Sequence, residues 1–332
     1  MICVRTATLA DGPALRRLLD DGGFTHTSAP LASDAPAGAA LVLVAEDLRN
    51  SQLLATARLA PAIGLHLPRY AYHVGVAVHA SPELRLFHRQ RTLLLCNDHT
   101  GASELADVAA AGADLPLADR AAALALVVQT ALLRLAQHRR QHADQLIVAL
   151  PGVRDGAGQS PFWQGLGQAF SNGDPLEAAR EHGSGWKSHV AALMPRHPVY
   201  ASFLPAAAQA AVAQPHAGTQ PLLDVLEHEG LRYSHHIDIY DGGPILEARP
   251  DDLHSVAASR VWPVRVVDVL AADARSHAVM TLAEPLRAAR LRCAHDATHL
   301  LVARDDAHAL GLHDDSRVRA VPTQTPDATP WA

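Results

Sequence analysis

The sequence predicts an α+β fold with a small β-rich unit at its C-terminal end. Three observations carry this reading. Short apolar runs rich in β-branched residues recur through the first 250 residues. One long amphipathic pattern, residues 120–141, stands between two groups of them and has the spacing of a helix. Residues 255–322 then alternate short β-like pieces with turns and contain no comparable helix. The expected organisation is a main domain over residues 1–250, a β-rich unit over 251–322, and a loose tail over 323–332.

The elements follow in order. ICVRTAT (residues 2–8) reads as a strand. Asp11 is placed to cap a helix running to Asp21, which Gly22 and Gly23 would stop. Residues 24–40 are small, polar and proline-bearing, hence a loop. ALVLVAED (40–47) and QLLATARLAPAIG, joined by Arg49 and Asn50, make a hairpin. YAYHVGVAVHA (70–80) alternates large and small residues as a strand does. RTLLLCNDHTGASELADVAA (91–110) begins apolar and turns at residues 97–101. It then enters a segment that alanine content alone would make helical and that its pattern also allows as a strand. RAAALALVVQTALLRLAQHRRQ (120–141) is the long helix, closed by basic residues that suit its C-terminal dipole. QLIVAL (145–150) is a buried strand. Ser160 caps and Pro161 opens a short helix. LLDVLEHEG (222–230) is a helix stopped by Gly230, and LRYSHHIDIYDGG (231–243) a strand ended by a glycine pair.

Composition excludes several classes. Hydrophobic residues at 48% and charged residues at 19% belong to a globular chain rather than a disordered one. A net charge of −6 and the lack of basic runs interleaved with aromatics argue against nucleic acid as a partner. No apolar run reaches the roughly 18 residues of a membrane span, and the N-terminus lacks the apolar core of a signal peptide, so a cytoplasmic protein is expected. Three scattered cysteines make no disulfide framework. Among 21 histidines, His295 and His299 stand four apart. They lack the Glu of H-E-x-x-H and an evident third ligand, so surface histidines are expected there and at His235–His236, and no metal.

The stretch PGVRDGAGQSPFWQGLG (151–167) raises a sharper question, because it sets two of the chain's few large rings behind a glycine-rich turn. No Lys-Ser/Thr follows, so it is not a nucleotide phosphate loop. Together with VGVAVHASPEL, CNDHTGASEL, LMPRHPVYASFL, QPHAGTQPLLDVLEHEGLRY and IDIYDGGP, it resembles the arginine N-succinyltransferase family. The element order also resembles that of the GNAT acyl-CoA N-acyltransferases. The words run in the family's order from about residue 74 to 247, roughly two thirds of the chain, and the final RVRAVP is similar as well.

The resemblance implies a GNAT-like fold and transfer of the succinyl group of succinyl-CoA to the α-amino group of L-arginine. The products would be N2-succinylarginine and coenzyme A, the first step of arginine catabolism by this route. Succinyl-CoA would be a co-substrate, with no other cofactor. The family's catalytic histidine falls on His216 here, as general acid/base for the departing thiolate. Its succinyl-CoA contact falls on Val108, and Phe162 and Trp163 would fill core and wall the cofactor slot. Asp98, Glu104, Asp238 and Asp241 stand in matched words and offer anions for the guanidinium, with Asn97, Thr100 and Ser103 as hydrogen-bonding neighbours. Arg154 and Lys187 are available for the succinyl carboxylate. The sequence departs from the family before the long helix, where one glycine, Gly112, and one base, Arg120, remain in the phosphate-binding segment. It also departs at Arg69 and His73, where the family carries Trp and Arg, and in a shortened segment over residues 31–40. These departures set a second reading beside the first: a weakly active or non-catalytic paralogue that is partner subunit of a heteromeric arginine/ornithine enzyme. Another acyl-CoA or amine is a third. A homo-oligomer is the other expected assembly.

Overall fold

The computed structural model describes residues 1–21, 40–112, 116–171 and 186–323. Its strands are β1 (Ile2–Thr6), β2 (Leu41–Asp47), β3 (Gln52–Ala60), β4 (Ala71–Ser81), β5 (Leu86–Cys96), β6 (Ser103–Ala110), β7 (Leu146–Ala149), β8 (Val199–Tyr200), β9 (Arg232–Ile237) and β10 (Pro244–Ala248). The C-terminal strands are β11 (Arg260–Val267), β12 (Arg275–Thr281), β13 (Arg287–His295), β14 (Leu300–Ala303) and β15 (Arg317–Pro322). They hydrogen-bond in the order β12-β15-β11-β14-β13-β1-β2-β3-β6-β7-β10-β9-β4-β5-β8. The pairing of β13 back onto β12 closes the five C-terminal strands into a ring, and β1 joins that ring to the main sheet through β13. The architecture is thus a mixed sheet with helices packed on it.

Two helices and one strand pair position the functional region. Helix α1 (Gly12–Asp21) follows a single 3-10 turn. Asp11 is not its N-cap as the sequence suggested. Its carboxylate instead accepts from the Thr8 amide at 2.7 Å and is held by the Arg5 guanidinium at 2.8 and 2.9 Å. The Arg5 cation keeps the Asp11 carboxyl at about 2, below the usual carboxylate range. Helix α2 (Leu117–Gln137) buries Leu126, Leu132, Leu133 and Leu135 against β2, β3 and the C-terminal strands. Each such leucine contributes about 1.5–3 kcal/mol on leaving water. The stretch after it lies as expected, with β7 following a turn.

The segment that propensity left open is strand β6, not helix. Its alanines Ala106, Ala109 and Ala110 pair with β3 in a ladder that overrides helical preference. The ladder breaks once, with Asp107 at φ +52°, a bulge in which the Asp107 carboxylate takes the Arg58 guanidinium at 2.6 Å. On its other side β6 runs parallel to β7, but they pair only at Ser103↔Leu146 and Glu104↔Ile147. Beyond Glu104 the two strands part, and among the described residues the β7-facing edge of β6 has no strand partner.

The 231–243 stretch divides. β9 ends at Ile237, and residues 238–243 form a compact buried turn into β10, a strand that the sequence pattern does not separate. The loop over residues 24–39, the glycines at 22 and 23, and the tail beyond 323 lie outside the described residues.

Candidate active site

Where β6 and β7 part, a cleft of about 410 Å³ opens. One wall is the end of β6 with the start of α2: Val108, Ala109, Gly112, Leu117 and Arg120. The other is the turn His216–Thr219 that leads into the helix Gln220–Glu229. The size suits the reactive end of a small-molecule site. His216 and Val108, far apart in sequence, are therefore brought to one space. Val108 is at the same time part of the α2 core, so its role in the cleft is that of backbone and wall.

His216 is held by its own backbone and by its neighbours. Its N–H donates to Pro151 O at 2.8 Å, and its C=O accepts from both the Thr219 amide and hydroxyl at 2.9 and 2.6 Å. The Gly218 N–H donates to Nδ1 at 3.2 Å. With Nδ1 an acceptor, the proton of the neutral ring resides on Nε2, so the free nitrogen of the half-buried ring is a proton donor. The sequence signal for this was present in His-Ala-Gly-Thr-Gln-Pro: a capping side chain, small residues, then a proline near the helix start.

The turn rests on two close backbone approaches. Gly152 pairs with Pro215 and lies against the buried turn 238–243, where a Cβ on it would come within 2.3 Å of Asp241 O. A Cβ on Gly243 would meet Leu150 O at 2.2 Å. Gly152 of GVRDGAGQSPFW and Gly243 of IDIYDGGP are thus required where the two words touch each other.

Phe162 and Trp163 open helix α3 (Pro161–Gly165), whose start is capped as expected by Ser160 Oγ accepting from the Trp163 amide at 3.1 Å. The rings do not reach the cleft. Both are buried in an aromatic core with Tyr72, Trp186 and Tyr240, and the Trp163 ring fills the space where a Cβ on Gly167 would stand. Their part in the expectation that the structure displays is the core-filling one.

The acidic candidates separate into three places, none of them lining this cleft. Glu104 and Asp238 share a buried ionic cluster with Arg69, Arg58 and Lys187. Arg69 reaches Asp238 at 3.4 Å and Glu104 at 3.8 Å, Arg58 reaches Glu104 at 3.4 Å, and Lys187 reaches Asp238 at 2.6 Å. Burial alone would raise the Asp238 carboxyl, but the Lys187 and Arg69 cations outweigh it and hold it well below the usual range. Asp241 sits beneath Gly152 and accepts from the Gly243 amide at 2.9 Å. Burial first, and then the neighbouring Asp238 charge, push its carboxyl up. Asp98 is largely exposed and faces His236 at 3.3 Å.

Of the hydrogen-bonding neighbours, Ser103 links Pro61 O to the Ala143 amide, and Thr100 accepts from the Arg69 amide. Of the two cations expected for the succinyl carboxylate, Lys187 is engaged by Asp238, while Arg154 bonds Gly158 O and lies over Tyr240. Sequence reasoning missed Arg69 as a member of the ionic cluster, because its partners lie 35 and 169 positions away.

The family model for the arginine N-succinyltransferase beta subunit matches residues 14–255. The chain belongs to this family. An arginine N-succinyltransferase of Citrobacter koseri is 35% identical over 283 residues, covering 84% of this chain and 80% of the relative. One from Salmonella paratyphi B is 39% identical over 223 residues, 67% of this chain and 64% of that one. The solved structure of arginine/ornithine succinyltransferase subunit AI from Pseudomonas aeruginosa is similar throughout. Its TM-score is 0.81 at 29% identity, over 98% of this chain and 99% of that one. The cleft and the His216 turn lie within the span that the arginine N-succinyltransferase model covers. Among the described residues no helix is long and apolar enough to cross a membrane.

Proposed function

We propose that this chain carries out its family's reaction at the cleft between β6 and the His216 turn. It transfers the succinyl group of succinyl-CoA to the α-amino group of L-arginine. The amine nitrogen attacks the thioester carbonyl carbon, the tetrahedral adduct collapses and the C–S bond breaks. His216 passes its Nε2 proton to the departing thiolate as it takes up, through solvent, the surplus proton of the amine, so that the ring ends neutral. The observation that carries this reading is the Gly218 amide on Nδ1, which leaves His216 a donor at the open face of the cleft.

The free edge of β6 beyond Glu104 supplies backbone amides to the pantetheine arm and the oxyanion. A parallel strand pair that parts in this way, with a long helix starting beside the gap, supports the GNAT-like reading of the fold. Arg120 and the amides at the start of α2 take the phosphates. The Arg120 Nε is buried and makes no hydrogen bond among the described residues, so its capacity is open. For the acceptor, Glu104 and Asp238 already hold one guanidinium, that of Arg69, which is the chemistry an arginine substrate asks of them. The binding of coenzyme A by a segment with a single glycine is the step on which the reading depends.

Thiol release from succinyl-CoA, followed with arginine and with other amines, tests it. Release with arginine and mass-spectrometric detection of N2-succinylarginine are expected. Binding of succinyl-CoA without release would refute the reading for the isolated chain. The word subunit in the names of the family and of its Pseudomonas relative supports an assembly of more than one chain, while the similar enzymes favour an active transferase over a non-catalytic partner. Were the assembly needed for turnover, activity would appear only when a related subunit is added.

A further inference from the structure

Outside the cleft, His99, His236 and Glu247 converge on one point, and the exposed Asp98 stands beside them against His236. Asp98 and His99 lie in the turn between β5 and β6, His236 lies next to the end of β9, and Glu247 lies on β10. The donor atoms of His99, His236 and Glu247 lie within 4.8 Å of one another. His99 Nε2 stands 3.3 Å from Glu247 Oε2, and His236 Nε2 stands 3.3 Å from Asp98 Oδ2. The rings of His99 and His236 are 4.5 Å apart.

The hydrogen bonding around His236 fixes its tautomer. Nδ1 lies 2.9 Å from Ser234 O, an acceptor only, so Nδ1 carries the proton. Ser234 Oγ donates to Ile245 O and adds a second acceptor to Nδ1. Nε2 of the neutral ring is then a bare lone pair aimed at a carboxylate, two acceptors facing each other with nothing positive between them. A histidine whose far N–H is tied to a backbone carbonyl is the usual arrangement of a metal-ligating imidazole. β9 is bent to achieve this: its register against β10 jumps between Ile245 and Leu246, and His235 takes φ +60°. Bulges of this kind re-aim a side chain, and the strain of a left-handed histidine is one that folds hold at functional positions. The unbonded Nδ1 of His99, fully buried, is a further polar atom that the chain's own contacts leave unanswered.

From this geometry we infer a divalent-cation site of the zinc class, held by His99, His236 and Glu247, with the exposed Asp98 beside His236 turning in as the fourth donor. Tetrahedral zinc with N and O ligands near 2.0–2.1 Å puts its donors about 3.3 Å apart, the separation found in both pairs. Two imidazoles and two carboxylates are donors that a borderline-soft cation accepts, and the two carboxylates balance its charge. The ion ties the β5–β6 turn to β9 and β10. No spacing in the sequence announces it, because the three segments meet only through the sheet.

The test uses the untagged full chain, stripped with chelator and titrated with Co²⁺ and then Zn²⁺. Saturable uptake of about one equivalent per chain, with the intense visible bands of tetrahedral cobalt and a rise in Tm on loading, is expected. His236→Ala and Glu247→Gln each weaken uptake by more than about tenfold. His299→Ala, at the helical-type pair of the sequence, leaves it unchanged. Asp98 is exposed, so Asp98→Asn keeps the fold and decides the matter if the buried variants do not fold: it too weakens uptake and shifts the cobalt bands. No saturable uptake by the unaltered chain, or uptake that survives Asp98→Asn and Glu247→Gln with unchanged bands, overturns the site.

Discussion

The two walls of the cleft are built on different terms. The His216 wall is fixed from behind at every turn, by a bond to Pro151 O, by the Gly152–Pro215 bridge, by the Ala213 amide on Gly242 O, and by glycine backbones packed on each other. On the opposite wall, Ala109 and Ala110 pair with β3 and the Ala111 amide donates to Leu54 O, and the start of α2 adds one short brace. The Asp119 and Arg120 amides donate to Pro116 O, and no side chain caps the helix. On the proposed function the two walls do different chemistry. A proton donor has to be held within tenths of an ångström, whereas phosphate binding needs only amides and charge in the neighbourhood. The family words are dense on the first wall and thinned on the second, in keeping with that demand.

The largest effect is expected at the fixed wall itself. His216→Ala removes the proton donor and should lower kcat by about 10²–10⁴-fold while the far-ultraviolet spectrum and Tm stay as they were. Turnover at the unaltered level would make both walls mere scaffolding and end the comparison.

Next in size is the buried turn behind that wall, where two carboxylates three residues apart should behave oppositely. Asp238→Asn strips the counter-charge from Lys187 and Arg69, and should destabilise by about 3–5 kcal/mol in urea unfolding. Asp241→Asn keeps an acceptor for the Gly243 amide and removes a carboxyl whose ionisation burial already opposes, so it should cost less than about 1 kcal/mol. The pH dependence separates them as well. The depressed Asp238 contributes stability above the ordinary carboxylate value of about 3.9, lost as pH falls through its folded value. The raised Asp241 contributes below that value, and its contribution declines as pH rises through its folded one. Equal effects of the two substitutions would mean the turn is held by backbone alone.

Gly152→Ala should then show how far the wall depends on that close approach. The added methyl has no room beside Asp241 O, and the expected cost is about 1–3 kcal/mol together with a lower kcat at unchanged KM for arginine. A stability loss with full kcat would show that His216 is oriented without the Gly152–Pro215 bridge.

Much of this was legible in the chain. The hairpin β2–β3, the long helix and the Ser160-Pro161 start followed from local pattern, because each is decided by residues within a few positions. The wrong or open readings share a cause in tertiary contact. Asp11 turned from cap to ion-pair partner because Arg5 on the neighbouring strand reaches it, and β6 became a strand because β3 was there to pair with. Phe162 and Trp163 were read as both core and cofactor wall. Pattern cannot tell which side of a sheet a ring meets, and the structure buries them among other rings. The ionic cluster around Arg69 and the histidines around His236 were beyond pattern altogether, since their members meet only after the sheet has formed.

The smallest effect tests the less braced wall. Arg120 is the one arginine or lysine lining the cleft among the described residues, and among them its buried Nε has no hydrogen-bond partner. If it meets a phosphate of succinyl-CoA, Arg120→Gln should raise KM for succinyl-CoA by about tenfold, with kcat and KM for arginine little changed. The increase should shrink in high salt, because screening weakens the same attraction in the parent chain. A wall that binds by charge gives this split between the two substrates, while one that positions the reacting atoms would lose kcat instead. An Arg120→Gln chain with parent KM at low salt would assign phosphate binding to the amides of α2 alone. The single arginine would then be a bystander, and the contrast between a shaped wall and a charged one would fail.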